Sequence, residues 1–281
     1  LIMKTDNSFN ELMQFQQDTE ALSSIAGRLG WDQETIMPQG SADQRATEQA
    51  AIVKTIHKRK TDPRIPEWIG KIRPKNEIEK ANIRLIERSY QKACKVPPDL
   101  NAAIARTTSK AHSIWASARE NENLAEYLPI LTEVIHLKRQ KAAALSEAGI
   151  YYDTLAEEYE PGISTTDISV MFEQLRPTLV GLRKEILAED KISSVTNYFD
   201  KNIQLNLAKE LAVTFGYDLN KGRIDLSLHP FSSGCGDDVR ITTRIDPSDP
   251  FNCIYSTIHE VGHATYEQNI NRNYIFTPIG R

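Results

Sequence analysis

With 281 residues, 40% of them hydrophobic and 26% charged, the chain has the make-up of a globular protein large enough to bury a substantial core. Its net charge of −4 offers no general attraction to nucleic acid or to an anionic membrane, and no run approaches the roughly 18 apolar residues of a membrane span. The opening Leu1 to Asn7 lacks the basic segment and apolar core of a secretory leader.

Taken in order, Ser8-Phe9-Asn10-Glu11 has capping-box form and opens a helical pattern that predicts a long first helix to about Gly30. Met37-Pro38-Gln39-Gly40 stops any helix, and Ser41-Ala42-Asp43-Gln44 starts a second one that ends on the basic triplet Lys58-Arg59-Lys60, read as a solvated terminus. Asp62-Pro63 and Ile65-Pro66 read as a connection. Asn76 to Lys95 is again helical, and Asp99 to Glu147 predicts two helices parted near Asn121 to Asn123, with Pro129 in a first turn. His112 and His136 fall in these helices as surface or core histidines. Pro161-Gly162 closes an acidic, tyrosine-rich stretch. Helices follow from about Thr166 to Ala188 and from Asp200 to Phe215, with Gly216 at the C-terminal position.

The pattern changes at Gly222. Residues 223–229 and 238–244 alternate apolar and polar, which predicts a small antiparallel sheet with 230–237 as its loop. Asp249 is placed as an N-cap with Pro250 at the first helical position, so a helix should run from Pro250 to about Gln268. Cys94, Cys235 and Cys253 are odd in number and widely spaced, which reads as reduced thiols of a cytoplasmic protein.

That last helix carries His259-Glu260-Val261-Gly262-His263. Positions i and i+4 share one helix face, so both imidazoles can reach one metal while Glu260 points at the attacking water. Chance alone supplies roughly 0.02 such matches in a chain of this composition, so the motif needs support from its surroundings. The plain alternative is an exposed helix acid beside a chance pair of histidines. Gly262 would leave room for close approach by a strand or substrate. A catalytic zinc needs a third protein ligand. Glu267 lies about 12 Å along the axis from His259 and roughly 80° around the helix, outside comfortable reach. His229 and Asp238 suit a supporting or substrate role better.

Three motifs in order, His229-Pro230-Phe231, Asp238-Val239-Arg240-Ile241-Thr242 and His259-Glu260-Val261-Gly262-His263, make the chain resemble the carboxypeptidase Taq family of metallocarboxypeptidases. Flanking phrases agree: Trp31-Asp32-Gln33-Glu34-Thr35, Glu160-Pro161-Gly162, Gly216-Tyr217-Asp218 and Tyr266-Glu267-Gln268. The resemblance implies a mostly α, large helical peptidase fold with a small sheet beside the motif helix, cytoplasmic and usually a homodimer. It implies metal-dependent removal of C-terminal residues from peptides with broad specificity, using Zn or another divalent metal such as Co or Mn. His259 and His263 are then metal ligands and Glu260 the general base. His229, Asp238 and Arg240 are expected in substrate-binding or supporting roles, with Arg240 engaging a substrate oxygen and Asp238 orienting its neighbours. An Asp-Arg pair that only stabilises the sheet is the competing expectation.

Members of that family take their third ligand, a Glu, from a later His-Glu-Ser motif, and this sequence ends at Arg281 before it. The expectation is therefore a helical body over residues 1–190 and the start of a catalytic region over 191–281, or one continuous domain of an incomplete site. Catalysis would depend on a complementing C-terminal polypeptide. Alternatives are a non-catalytic peptide-binding or dimerising fragment and a metallo-oligopeptidase. No nucleic-acid or membrane partner is expected.

Overall fold

The computed structural model describes residues 7–147, 149–189 and 197–280. The segment read for a leader, apart from Asn7, and the boundary expected at 190/191 lie outside these residues. Helices dominate, as expected: α1 (Ser8–Thr35), α2 (Ala42–Lys60), α3 (Arg64–Lys71), α4 (Glu77–Lys95), α5 (Pro98–Glu120), α6 (Leu124–Leu145), α7 (Tyr151–Ala156), α8 (Thr165–Ala188) and α9 (Lys201–Thr214). Three short strands follow, β1 (Ile224–Leu226), β2 (Ser232–Cys235) and β3 (Asp238–Thr243), and then α10 (Pro250–Gln268). Among the described residues no helix is long and apolar enough to cross a membrane.

Several boundaries depart from expectation. Helix α1 runs past Gly30 to Thr35 because its last turn is held from outside. Arg45 donates to Asp32 (2.5 Å) and to the Leu29 carbonyl (2.5 Å), Gln33 exchanges hydrogen bonds with Ser109 (2.6 and 3.0 Å), and His112 Nε2 lies 2.6 Å from Glu34. The phrase Trp31 to Thr35 thus joins α1 to α2 and α5. The segment read as a connection contains α3, with Pro66 in its first turn where a missing N–H costs nothing. Pro129 sits deeper in α6 than a first turn.

The sheet also corrects the prediction. Its order is β1-β3-β2, with β2 antiparallel and β1 parallel to β3. The expected hairpin partner of β3 is displaced because the intervening segment itself folds back as β2. Left-handed glycines make that possible: Gly234 has φ +112° and a side chain there would lie 2.0 Å from the Asp238 carbonyl oxygen, while Gly236 has φ +62°. The antiparallel side of β3 is thus taken by its neighbour in sequence, leaving β1 to pair on the other side.

Two apolar cores result. One joins Leu12, Ile65, Ile72 and Ile86 of α1, α3 and α4. The other, which positions the motif helix, joins Ala212 and Tyr217 at the end of α9 to Val239 and Ile241 of β3 and Val261 and Ala264 of α10. Alternation along β3 sends Val239 and Ile241 toward α10 and leaves Asp238 and Arg240 on the face toward α1.

Candidate metal centre

Helix α10 is fixed at both ends and along one side. Asp249 caps it by accepting from Phe251 N (3.1 Å) and Asn252 N (3.3 Å), with Pro250 in the first turn. At the other end Gln268 accepts from Asp218 N (2.9 Å) and donates to Asp218 O (3.0 Å). Cys253, Thr257, Val261, Ala264 and Gln268 recur every three or four residues and form the buried stripe. Thr257 donates to Thr243 Oγ1 at 2.9 Å, locking the helix register against β3. Tyr217 donates to the Val239 carbonyl (2.6 Å), and burial holds its phenol pKa well above the usual range. A side chain at Gly222 would lie 2.0 Å from both Tyr217 Oη and Val239 O, so this contact requires glycine.

With that stripe buried, the opposite side of α10 presents the motif. His259 and His263 are exposed, their Nε2 atoms 3.3 Å apart. Two nitrogens each about 2.0–2.1 Å from one tetrahedral Zn²⁺ stand roughly 3.3–3.4 Å apart, so the spacing fits a shared divalent metal. Glu260 is buried beside them, 7% exposed. Among the described residues no group of three His, Cys, Asp or Glu forms a metal-binding cluster. None of the three cysteines forms a disulfide, and they differ in exposure: Cys94 on the surface, Cys235 half-buried, Cys253 buried against Thr243.

Beside the motif lies a cleft of about 450 Å³ bounded by Glu260, His263 and Glu267 from α10, His229-Pro230-Phe231, and Ser232 to Gly234 of β2. The structure therefore brings His229, Glu260, His263 and Glu267 around one space. Thr242 makes this possible. Its hydroxyl oxygen accepts from Ser227 Oγ (2.7 Å) and Phe231 N (2.9 Å), and its amide donates to Phe231 O (2.9 Å). The threonine of the second motif thus holds the loop of the first against β3, the strand that packs on the helix of the third. Sequence reading missed this role; the signal was a β-branched hydroxyl at an alternate position of a strand, which only pairing partners reveal.

Asp238 and Arg240 are not in that cleft. They occupy the seam between β3 and α1, where Arg240 makes a bidentate pair with Asp238 (2.8 and 3.1 Å) and lies 4.5 Å over the Trp31 ring. Arg28 of α1 donates to the same carboxylate at 2.8 Å. The Arg240 guanidinium, with Arg28, holds the Asp238 carboxyl below the usual carboxylate range. Gly262 faces open space, and no strand among the described residues approaches it.

Comparison with known proteins supplies the context. The carboxypeptidase Taq (M32) metallopeptidase family model matches residues 11–281. Thermostable carboxypeptidase 1 of Thermus thermophilus is 34% identical over 99% of this chain and 58% of its own length, and its namesake from Pyrococcus furiosus is 32% identical over 92% and 54%. The M32 carboxypeptidase of Deinococcus radiodurans R1 superposes with a TM-score of 0.83 at 30% identity, covering 98% of this chain and 56% of that one. The chain spans little more than half the length of these relatives.

Proposed function

Because the chain belongs to the carboxypeptidase Taq (M32) family of metallopeptidases, we propose that it supplies the His-Glu-His half of a metallocarboxypeptidase site that trims peptides from the C-terminus with broad specificity. The observation that carries this reading is the 3.3 Å separation of two solvent-facing imidazole nitrogens with a buried carboxylate between them in sequence, beside an open cleft. His259 and His263 would hold Zn²⁺, or another divalent ion such as Co or Mn, through neutral ring nitrogens. A bound ion there supplies Lewis acidity toward the scissile carbonyl and lowers the pKa of water. Glu260 takes the proton of the attacking water and passes it to the leaving amine.

Substrate backbone fits the free edge of β2, the outer strand of the sheet, whose Ser232 to Gly234 line the cleft. His229, in the same cleft, reaches substrate. Asp238 and Arg240 act by fixing the sheet against α1, since their side chains are engaged there. We assign the third ligand to polypeptide equivalent to the part of the relatives that this chain does not span, with residues 1–190 as groove wall and 191–281 as the start of the catalytic region. Cytoplasmic residence and a homodimer belong to the same proposal.

The test is a peptide digestion by the chain combined with that complementing polypeptide and Zn²⁺. Mass spectra should show ladders losing one C-terminal residue at a time. Internal fragments would assign an oligopeptidase instead, and absence of metal-dependent hydrolysis with and without the complement would leave a non-catalytic peptide-binding or dimerising protein.

A further inference from the structure

The seam between α1 and the sheet encloses a second pocket, of about 200 Å³, lined by Arg28 and Trp31 of α1, by Cys235 of β2 and by Asp238 and Arg240 of β3. Drug-sized ligands occupy about 300–1,000 Å³, so this space suits a small polyatomic ion.

Its lining is rich in donors. Arg28 and Arg240 bring two positive charges against the one negative charge of Asp238, an excess of one. Asp238 takes only part of their capacity: Arg28 gives it Nε alone (2.8 Å), and Arg240 gives Nε and Nη2 (2.8 and 3.1 Å). Both Nη groups of Arg28 and Nη1 of Arg240 keep their hydrogens free of any hydrogen-bond partner among the described residues. Guanidinium groups only donate, and both oxygens of Asp238 are already committed, so the group that satisfies this lining must accept and should be anionic.

Two further observations point to a ligand. Trp31 is 4% exposed, and its indole Nε1–H meets no acceptor among the described residues. A buried donor in that state is costly, and a bound ion or water is the common means of satisfying it. The second is Gly27, which lines the pocket on the same face of α1 as Ser23 and Trp31, each four residues from the next. Glycine is a poor residue for the interior of a 28-residue helix. Crowding does not demand it, because a side chain there would meet nothing within 4 Å. What the glycine provides is the space itself.

We propose that this pocket binds a small oxyanion, inorganic phosphate or a free carboxylate, through the spare N–H groups of Arg28 and Arg240. Ser233 and Gly234 of β2 belong to the walls of both this pocket and the cleft beside His263, so a bound ion touches the strand that carries substrate in the proposed function. Binding itself is independent of hydrolysis and of any metal.

The experiment titrates the chain calorimetrically with phosphate and, separately, with acetate at constant ionic strength. Saturable one-to-one binding is expected, and the arm that gives it names the oxyanion; binding of neither overturns the proposal. Alkylation by iodoacetamide, followed by mass spectrometry, locates the ion. Its presence should slow modification of Cys235 at least threefold and leave the exposed Cys94 unchanged. Arg28→Gln should weaken binding about tenfold. Gly27→Leu, which occupies the space without removing a hydrogen bond, should abolish it, with thermal melts showing that the variants remain folded. Binding that survives both substitutions, or protection of Cys94 equal to that of Cys235, contradicts the assignment.

Discussion

At the scale of single residues, the side chains that matter divide into those facing the cleft and those holding its walls. Glu260 is the buried acid of the motif beside His259 and His263, so Glu260→Gln should lower turnover of the complemented protein by about 10²–10⁴-fold while zinc uptake persists. Asp238 works at a distance from the cleft. Asp238→Asn removes the charge shared by Arg28 and Arg240 and should cost about 1–3 kcal/mol in urea melts. Because its folded pKa is depressed, this contribution is fully present above the unfolded value near ~3.9 and disappears as pH falls through the lower folded value. The gap in stability between the natural chain and the Asn variant should therefore narrow progressively as pH falls below about 4; a gap that stays constant there would mean the pair is not what Asp238 contributes. Gly222→Ala should destabilise near the upper end of about 1–3 kcal/mol, because the added carbon meets Tyr217 and the β3 backbone.

At the scale of elements, α10 was legible in the sequence to the residue. Asp249-Pro250 at the start and the four-residue spacing of the motif are local signals, and local signals survive folding. Asp249→Ala should cost about 1 kcal/mol and increase amide exchange in the first turn of α10, with little effect near His259. The sheet was legible as strands but not as pairing. Alternation marks which residues lie in a strand, while direction and partner depend on the turn at Gly234 to Gly236 and on where the Thr242 hydroxyl finds its donors. The end of α1 was read short for a related reason: Gly30 argues for a stop only until Arg45 and Ser109, distant in sequence, hold the next turn. Arg240 was expected either at a substrate oxygen or in a pair with Asp238 that stabilises the sheet, and the described structure shows the pair. The period-two rule puts it on the α1 face of β3, but sequence does not say which face a metal cleft will use.

At the scale of the whole molecule, the described residues form two buried clusters, and the His259-His263 pair lies on the exposed side of the helix that one of them holds. Among the described residues no third protein ligand joins the two imidazoles, and a two-ligand site holds zinc weakly. The His-Glu-His arrangement was readable because its residues are neighbours along one helix. The surrounding cleft was not, because its walls come from β2, the loop 229–231 and α10, which only strand pairing brings together. The most direct measurement is a zinc titration of the chain alone, of the chain with His259→Ala and His263→Ala, and of the chain with its complementing polypeptide. The account predicts weak binding that both histidines are needed for and that tightens by orders of magnitude on complementation; tight stoichiometric zinc in the isolated chain, or zinc binding indifferent to the two histidines, would contradict it.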